Sequence, residues 1–280
     1  MTKFKVHLPD AMETSMIMLY GLAADARSAP SILADKVAAA AFDKVDYDLD
    51  RLKSKVVSGK SMRVKVAVRA KFFDGWTRDF LAAHDKATVV QLGAGLDSRV
   101  WRIDPSPEVQ WFDVDLPGVV EAREQIFPGR DNYRLIPASV TDPQWLDEVP
   151  ADDPVLVVAQ GVTMYLDPEA GRAMFRRIAE RFPSGTIVMD THNAFGVRSV
   201  NRMLKRQFGK EMLTWPIEDE HELAEAVPNL RCVEVVSSLS PDLLDDLPPR
   251  LVPPGSRLMC RAVQHIRPLR TMSQYLRYEF

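Results

Sequence analysis

Cysteine is scarce: Cys232 and Cys260 are the only two in 280 residues. Two thiols cannot build a disulfide framework or complete a zinc site by themselves, so the chain reads as an intracellular, cytoplasmic protein with reduced cysteines. Long apolar runs are also lacking. The run Met16–Ala24 follows Pro9, Asp10 and Glu13, where an export signal would be uncharged, and no stretch is long enough to span a bilayer. A surplus of either charge is missing too: the net charge of −3 gives no global attraction to nucleic acid or to anionic membrane. Internal repeats and low-complexity tracts are absent. With 46% hydrophobic residues the chain can bury a full core, and its length suits one large unit better than two independent domains.

What is present is organised around Thr88–Arg102. Val89, Val90 and Leu92 form a short apolar run of largely β-branched character, and Gly93 and Gly95 remove side chains where the backbone must turn tightly and leave room for a ligand. A helix predicted from Asp97 would aim its first N–H groups over that turn. Two glycines after an apolar run also mark an ordinary turn, and the dinucleotide fingerprint asks for a third glycine where Ser98 stands. The next apolar run, Val109–Asp115, ends in Phe-Asp-Val-Asp. An acid at the end of a second strand can accept hydrogen bonds from both hydroxyls of a ribose.

From there strand and helix patterns alternate, which predicts parallel strands covered by helices. Strands are expected at Asn132–Ala138, Val155–Ala159 and Thr186–Met189, with helices opened by Leu116-Pro117, Asp142-Pro143 and Asp167-Pro168. A sixth strand is expected at Cys232–Ser237, and a last one within Gln274–Phe280, antiparallel beside it. Upstream, Asp10–Asp85 reads as helical with breaks near Ser28–Pro30 and Ser58–Gly59, and Asp10 with Glu13 spells a capping box. This divides the chain into a helical N-terminal extension, residues 1–85, and an α/β core, residues 86–280, forming one structural unit. Between Asp50 and Asp74 the extension holds Arg51, Lys53, Lys55, Lys60, Arg63, Lys65, Arg69 and Lys71 without an acid, close to Phe72, Phe73 and Trp76. The pattern reads as a solvated helix face rather than a nucleic-acid surface. His192, just past the fifth strand, has the chemistry of a general base and equally that of a local hydrogen-bonding residue.

The string Val89-Val90-Gln91-Leu92-Gly93-Ala94-Gly95-Leu96-Asp97-Ser98-Arg99 is followed by Asp113-Val114-Asp115-Leu116-Pro117. With Glu13-Thr14, Gln160–Leu166 and Tyr275–Phe280, it resembles the leucine carboxyl methyltransferase-like family of S-adenosylmethionine (SAM) enzymes, in particular its bacterial polyketide O-methyltransferases of the tetracenomycin type. The resemblance implies a class I, Rossmann-like α/β fold: a seven-stranded, mostly parallel sheet with the helical extension and lid insertions. It implies SAM as methyl donor, S-adenosylhomocysteine as product, and a cofactor site of Arg69, Gly93, Ala94, Gly95, Asp115, Leu116, Ser139, Val140 and Gln160. Arg69 would take the methionine carboxylate, Asp115 the ribose with Asp113 the next candidate, Ser139 and Val140 the adenine border, and Gln160 the methionine ammonium. Many relatives carry an acid where Ser139 stands and glutamate where Gln160 stands, so both positions depart from the family pattern.

The activity so implied is O-methylation of a carboxylate or phenolic hydroxyl on a small, polyketide-like molecule. A carboxylic acid with a pKa of about 4 is already ionised at neutral pH, whereas a phenol at about 10 benefits from a base. Tyr165 and His192 are the candidate catalytic residues, His192 as base only for a phenol. Residues Phe195–Lys210, with Arg198, Arg202, Lys205, Arg206 and Lys210 at near-helical spacing, read either as a solvated helix face or as a segment near the site mouth that draws in an anionic acceptor. No metal, nucleic acid or membrane partner is expected. Two other readings stay open: an NAD- or NADP-dependent oxidoreductase using the same strand and turn, and a non-catalytic SAM-fold binding protein. The place of Pro248–Pro254 is not legible.

Overall fold

The computed structural model describes residues 4–5, 10–46 and 60–280, with side chains from Thr14 to Asp46 and from Met62 onward. Seven strands form the central sheet: β1 Ala87–Leu92, β2 Val109–Asp115, β3 Tyr133–Pro137, β4 Val155–Ala159, β5 Gly185–Thr191, β6 Arg231–Ser237 and β7 Gln274–Glu279. Their spatial order is 3-2-1-4-5-7-6, with β1 to β5 parallel and β7 antiparallel to both β5 and β6. The antiparallel last strand is as expected, although it lies between β5 and β6. Every residue of β1 and of β4 is buried, which is why β4 is a continuous apolar run rather than an alternating one and β1 departs from one only at the buried Thr88 and Gln91. The third strand is a residue shorter at each end than the sequence suggested, and the fifth extends through Thr191.

Helices cover both faces. Val90, Leu92, Val157, Ala159, Ile187 and Met189 point to one side, where Met174, Phe175 and Ile178 of helix α6 (Pro168–Arg181) complete the core. Val89, Leu156, Val158 and Val188 point to the other, against Phe73, Trp76 and Phe80 of the long helix α3 (Lys60–Ala82). Proline at N1 starts α6, and Asp167 caps it by accepting from the N–H groups of Glu169 and Ala170. Asp142 likewise caps the short 3₁₀ turn that carries buried Trp145.

The N-terminal helices α1 (Asp10–Ala26) and α2 (Lys36–Lys44) share a cluster with α3 and with α5 (Pro117–Ile126), through Met16, Leu19, Leu22, Ala41, Leu96 and Ile126. The expected continuous helicity is interrupted after Lys44, where Val45–Asp46 pairs with Phe4–Lys5 as a two-residue parallel bridge. The capping-box side chains Asp10 and Glu13, the Ser58–Gly59 break, and Arg51, Lys53 and Lys55 lie outside the described residues. After the glycine turn, helix α4 spans only Arg99–Ile103 instead of starting at Asp97. The Asp97 N–H is already bonded to the Ala94 carbonyl in a turn, and Gly95 with φ +53° keeps this stretch out of helical conformation.

Two glycines give opposite stability expectations. A Cβ at Gly75, within α3, would meet nothing within 4 Å, so Gly75→Ala should stabilise by about 0.5–1 kcal/mol through helix propensity. At Gly171 in α6 a Cβ would overlap the buried Trp215 ring. There overpacking of about 1–3 kcal/mol exceeds the propensity gain, so Gly171→Ala should lower the thermal midpoint that Gly75→Ala raises, as read by calorimetry.

Candidate functional site

The parallel strands β1 to β5 all end on one edge of the sheet, and the residues singled out in the sequence gather there. After β1, Gly93 and Gly95 hold φ of +56° and +53°, the left-handed region that favours glycine. Side chains are excluded as well: a Cβ on Gly93 would overlap Val162, and one on Gly95 would approach the Ser15 hydroxyl of α1 to 2.8 Å. At the end of β2 the Asp115 carboxylate accepts from the Gly95 N–H at 2.6 Å and the Leu116 N–H at 2.7 Å. A carboxylate offers about four lone-pair sites, so two remain for ligand hydroxyls. Burial pushes the Asp115 carboxyl above its ordinary range, and the two backbone N–H groups act in the opposite direction. Leu116 beside it is 45% exposed, an apolar ledge at the sheet edge.

Asp113 is not an alternative to Asp115. It lies beneath the edge, accepting from Trp111 Nε1 at 2.9 Å, from the Tyr133 hydroxyl at 2.7 Å and from the Arg123 guanidinium, so its lone pairs are committed to the core. Arg123 in turn donates to the carbonyls of Gly95 at 2.8 Å and Asp97 at 2.9 Å, fixing the turn from behind. A second buried cluster stands next to it. Asp74 of α3 accepts from Arg99 at 3.0 Å and from Arg102 at 2.6 and 2.9 Å, while Arg102 also reaches Asp35 at 2.7 Å and Asp97 at 3.0 Å. Burial alone would raise the Asp97 carboxyl, but Arg102 and Arg99 hold it well below the usual carboxylate range.

This cluster also engages Gln160. Its side-chain oxygen accepts from the Arg99 guanidinium, one of the two hydrogen bonds that an amide oxygen can take. The buried Arg99, placed by the sequence only within a motif string, takes it because Asp74 and Asp97 leave an N–H group of the guanidinium aimed at the end of β4. Ser139 is exposed beyond β3 and shares a hydrogen bond of 2.9 Å with the Thr141 hydroxyl, and Val140 is buried, its carbonyl accepting from Trp145 Nε1.

At the ends of β4 and β5, Arg69 of α3 extends to the buried Asp190, with Nη1 to Oδ2 at 2.9 Å, and its Nη2 lies 2.9 Å from Met18 Sδ. The other Asp190 oxygen accepts from the Gly161 N–H at 2.6 Å, and the Asp190 carbonyl accepts from the Thr163 hydroxyl at 2.7 Å. Asp190 was missed as a site residue, although its signal was the one that found Asp115: an acid at the carboxyl end of a parallel strand. Tyr165 and Tyr275 interact electrostatically with Arg69. Burial raises the Tyr165 phenol, whose hydroxyl is hydrogen bonded to Thr14, so this group stays protonated and suits donation rather than proton removal. Burial lowers the His192 imidazole, with Asp190 opposing and Arg69 adding to the shift, and its Nδ1 is buried without a partner. The backbone around it is fixed, the His192 carbonyl accepting from the Ile217 N–H at 2.9 Å.

The sheet order, the glycine turn after β1 and the acid closing β2 together define a class I SAM-dependent methyltransferase fold. The chain belongs to the leucine carboxyl methyltransferase family, which matches residues 15–179. It is 35% identical, over 98% of both chains, to the tetracenomycin polyketide synthesis O-methyltransferase TcmP of Streptomyces glaucescens. It is 32% identical to the S-adenosyl-L-methionine-dependent methyltransferase dpfgK of Gibberella zeae, over 82% of this chain and 83% of the relative. Two solved structures share the fold at low identity. One, from Thermobifida fusca, has TM-score 0.57 and 15% identity over 98% of each chain. The other, a DUF574 family protein from Streptomyces avermitilis, has TM-score 0.55 and 16% identity over 95% of this chain and 96% of that one.

SAM is the cofactor of this family, and the edge fits it: a glycine turn without room for larger side chains, a carboxylate with spare lone pairs, and a half-buried arginine. Asp115→Ala should weaken SAM binding by about 1–3 kcal/mol in isothermal titration, because ribose hydroxyls would lose their acceptor. Asp113→Ala should instead lower the thermal midpoint, since it strands Arg123 and Tyr133. The raised Asp115 carboxyl adds a pH signature. The ionised form is the better acceptor, so wild-type affinity should fall on acidification at a pH above the ordinary carboxylate value of about 4, and Asp115→Asn should lose that step.

Proposed function

We propose that the protein is an O-methyltransferase acting on a small, polyketide-like molecule through a phenolic hydroxyl. The observation that carries the reading is His192: a half-buried imidazole just past the end of β5, held toward its neutral form, with a buried and unpartnered Nδ1. A neutral imidazole with a free lone pair is what a weakly acidic hydroxyl needs as proton acceptor. The name of the 35%-identical relative, a polyketide synthesis O-methyltransferase, supports the same class of acceptor.

SAM supplies a sulfonium-activated methyl group, so the chain contributes binding, alignment and proton handling. In this reading Asp115 takes the ribose and the Gly93–Gly95 turn the adjoining part of the cofactor, with Leu116, Ser139 and Val140 bordering the adenine. Arg69 takes the methionine carboxylate with the guanidinium hydrogens that Asp190 leaves open. Tyr165 donates a hydrogen bond near the same point, and His192 removes the acceptor proton. A carboxylate acceptor is the second reading. It is favoured by α7 (Ala194–Phe208), which starts two residues beyond His192 and exposes Arg198, Arg202, Lys205 and Arg206.

Two measurements test these assignments. Arg69→Met keeps the apolar stem and removes the fork, so SAM affinity should drop while adenosine affinity barely changes; an equal loss for both ligands would mean that the role is structural. For a phenolic acceptor, kcat/KM of the wild type should hold down to a pH below about 6.5, the ordinary histidine value, and fall below it as His192 takes a proton. His192→Ala should cost roughly 100-fold or more and abolish that limb. A wild-type rate and profile in the mutant would turn the reading to a carboxylate.

A further inference from the structure

The segment between β6 and β7 leaves the sheet beside the end of β5 and returns there, Ser237 and Thr191 both pairing with Gln274. It packs on the start of α7: Asn193 donates to the Pro268 carbonyl at 3.0 Å and the Thr271 hydroxyl at 2.8 Å. From Leu247 to Tyr278 the chain holds six arginines and no acid, in a protein whose net charge is −3. Within this segment, helix α8 (Ser256–Gln264) shows three stripes. Cys260, Val263 and Gln264 turn inward, whereas Leu258, Met259, Ala262 and, just past the helix, Ile266 form an outward apolar stripe flanked by Arg257, Arg261 and His265. Leu258 is 72% exposed and Met259 60%, and with Ile266 and Phe195 at the start of α7 they make four of the six exposed large hydrophobics among the described residues.

Single exposed apolar residues are ordinary on a protein surface, but several at helical spacing with arginines alongside are not. We propose that this face, from Arg257 to Arg270, docks on an anionic phospholipid surface. Leu258, Met259 and Ile266 enter the boundary between headgroups and acyl chains, and Arg261, Arg267 and Arg270 hold headgroup phosphates. Three observations choose the occupant. The cations between Leu247 and Tyr278 are all arginine, apart from histidine, and a planar guanidinium pairs bidentately with phosphate. The apolar side chains stand out from the helix, which suits a deformable apolar medium. A symmetric pairing with a second copy would set this cationic face against itself. Arg257 keeps part of its charge for Asp245, at 3.3 Å, so the three later arginines carry the argument. The net charge of −3 gave no hint of this partner because it averages over an uneven surface. The face adjoins the edge where His192 lies, so docking would set the acceptor side of the site next to the lipid.

The test is flotation of the whole protein with phosphatidylcholine vesicles, with and without phosphatidylglycerol. Wild type should float with the anionic vesicles and not with the neutral ones. Two surface variants, Leu258→Ser/Met259→Ser/Ile266→Ser and Arg261→Glu/Arg267→Glu/Arg270→Glu, should each weaken the interaction at least about tenfold while SAM binding stays at the wild-type level. Equal flotation with both vesicles, no flotation with either, or variants that float like wild type would overturn the proposal. So would capture by poly-glutamate without vesicle binding, which would indicate an acidic protein partner. Light scattering that shows wild-type dimers and a monomeric apolar variant would overturn it in favour of self-association.

Discussion

Five charged side chains, Asp35, Asp74, Asp97, Arg99 and Arg102, meet out of water behind the glycine turn, and the position of the ligand edge depends on them. Burying each ion is costly, and the cost is offset because every one of the five meets at least one partner of opposite charge. Removing one member would leave another uncompensated, typically a loss of about 3–5 kcal/mol. The cluster joins three pieces of chain: α3 through Asp74, the start of α2 through Asp35, and the turn with α4 through Asp97, Arg99 and Arg102. The helical extension is thereby tied to the turn by charge as well as by the apolar contacts of Met16 and Leu96. Three carboxylates face two guanidiniums, so the excess behind the turn is negative. A field of that sign suits a sulfonium cofactor lying over it.

Much of this edge was legible in the sequence, for local reasons. Strand β4 was recognisable to the residue because a strand buried on both faces must be apolar throughout, and Val155–Ala159 is. Gly93, Gly95 and Asp115 were recognisable because a tight turn and a strand-end acid each leave a short-range mark. What was not legible depends on distant partners. Gln160 accepts from Arg99, 61 residues away, and Arg69 meets Asp190 across 121 residues. The helix expected from Asp97 begins two residues later, and Arg99 and Arg102 draw the Asp97 carboxylate into the ion cluster.

Arg69 and His192 illustrate how one edge serves two kinds of chemistry. α3 descends toward the amino edge before β1 begins, so a residue two turns before Trp76 lies toward the carboxyl edge, where Asp190 waits at the end of β5. His192 follows Asp190 by two residues, and burial keeps it toward neutral although an acid is close. The ion pair and the imidazole are thus set by the same strand end. A guanidinium near the histidine helps keep the proton off it, which links cofactor-side charge to the readiness of the base.

The sheet order has a bearing on how the chain acquires its structure. Strand β7 fills the slot between β5 and β6, so β6 has no neighbour in the sheet when it is made and must wait until the long insertion and β7 have followed. During that interval β5 is an open parallel edge with an apolar strand behind it, the kind of surface that invites pairing with another chain. The five parallel strands and their helices can assemble in order of synthesis, but closure of the sheet is a single late event that joins residues far apart in sequence. Nascent chains paused within the insertion should therefore be the species most dependent on chaperones.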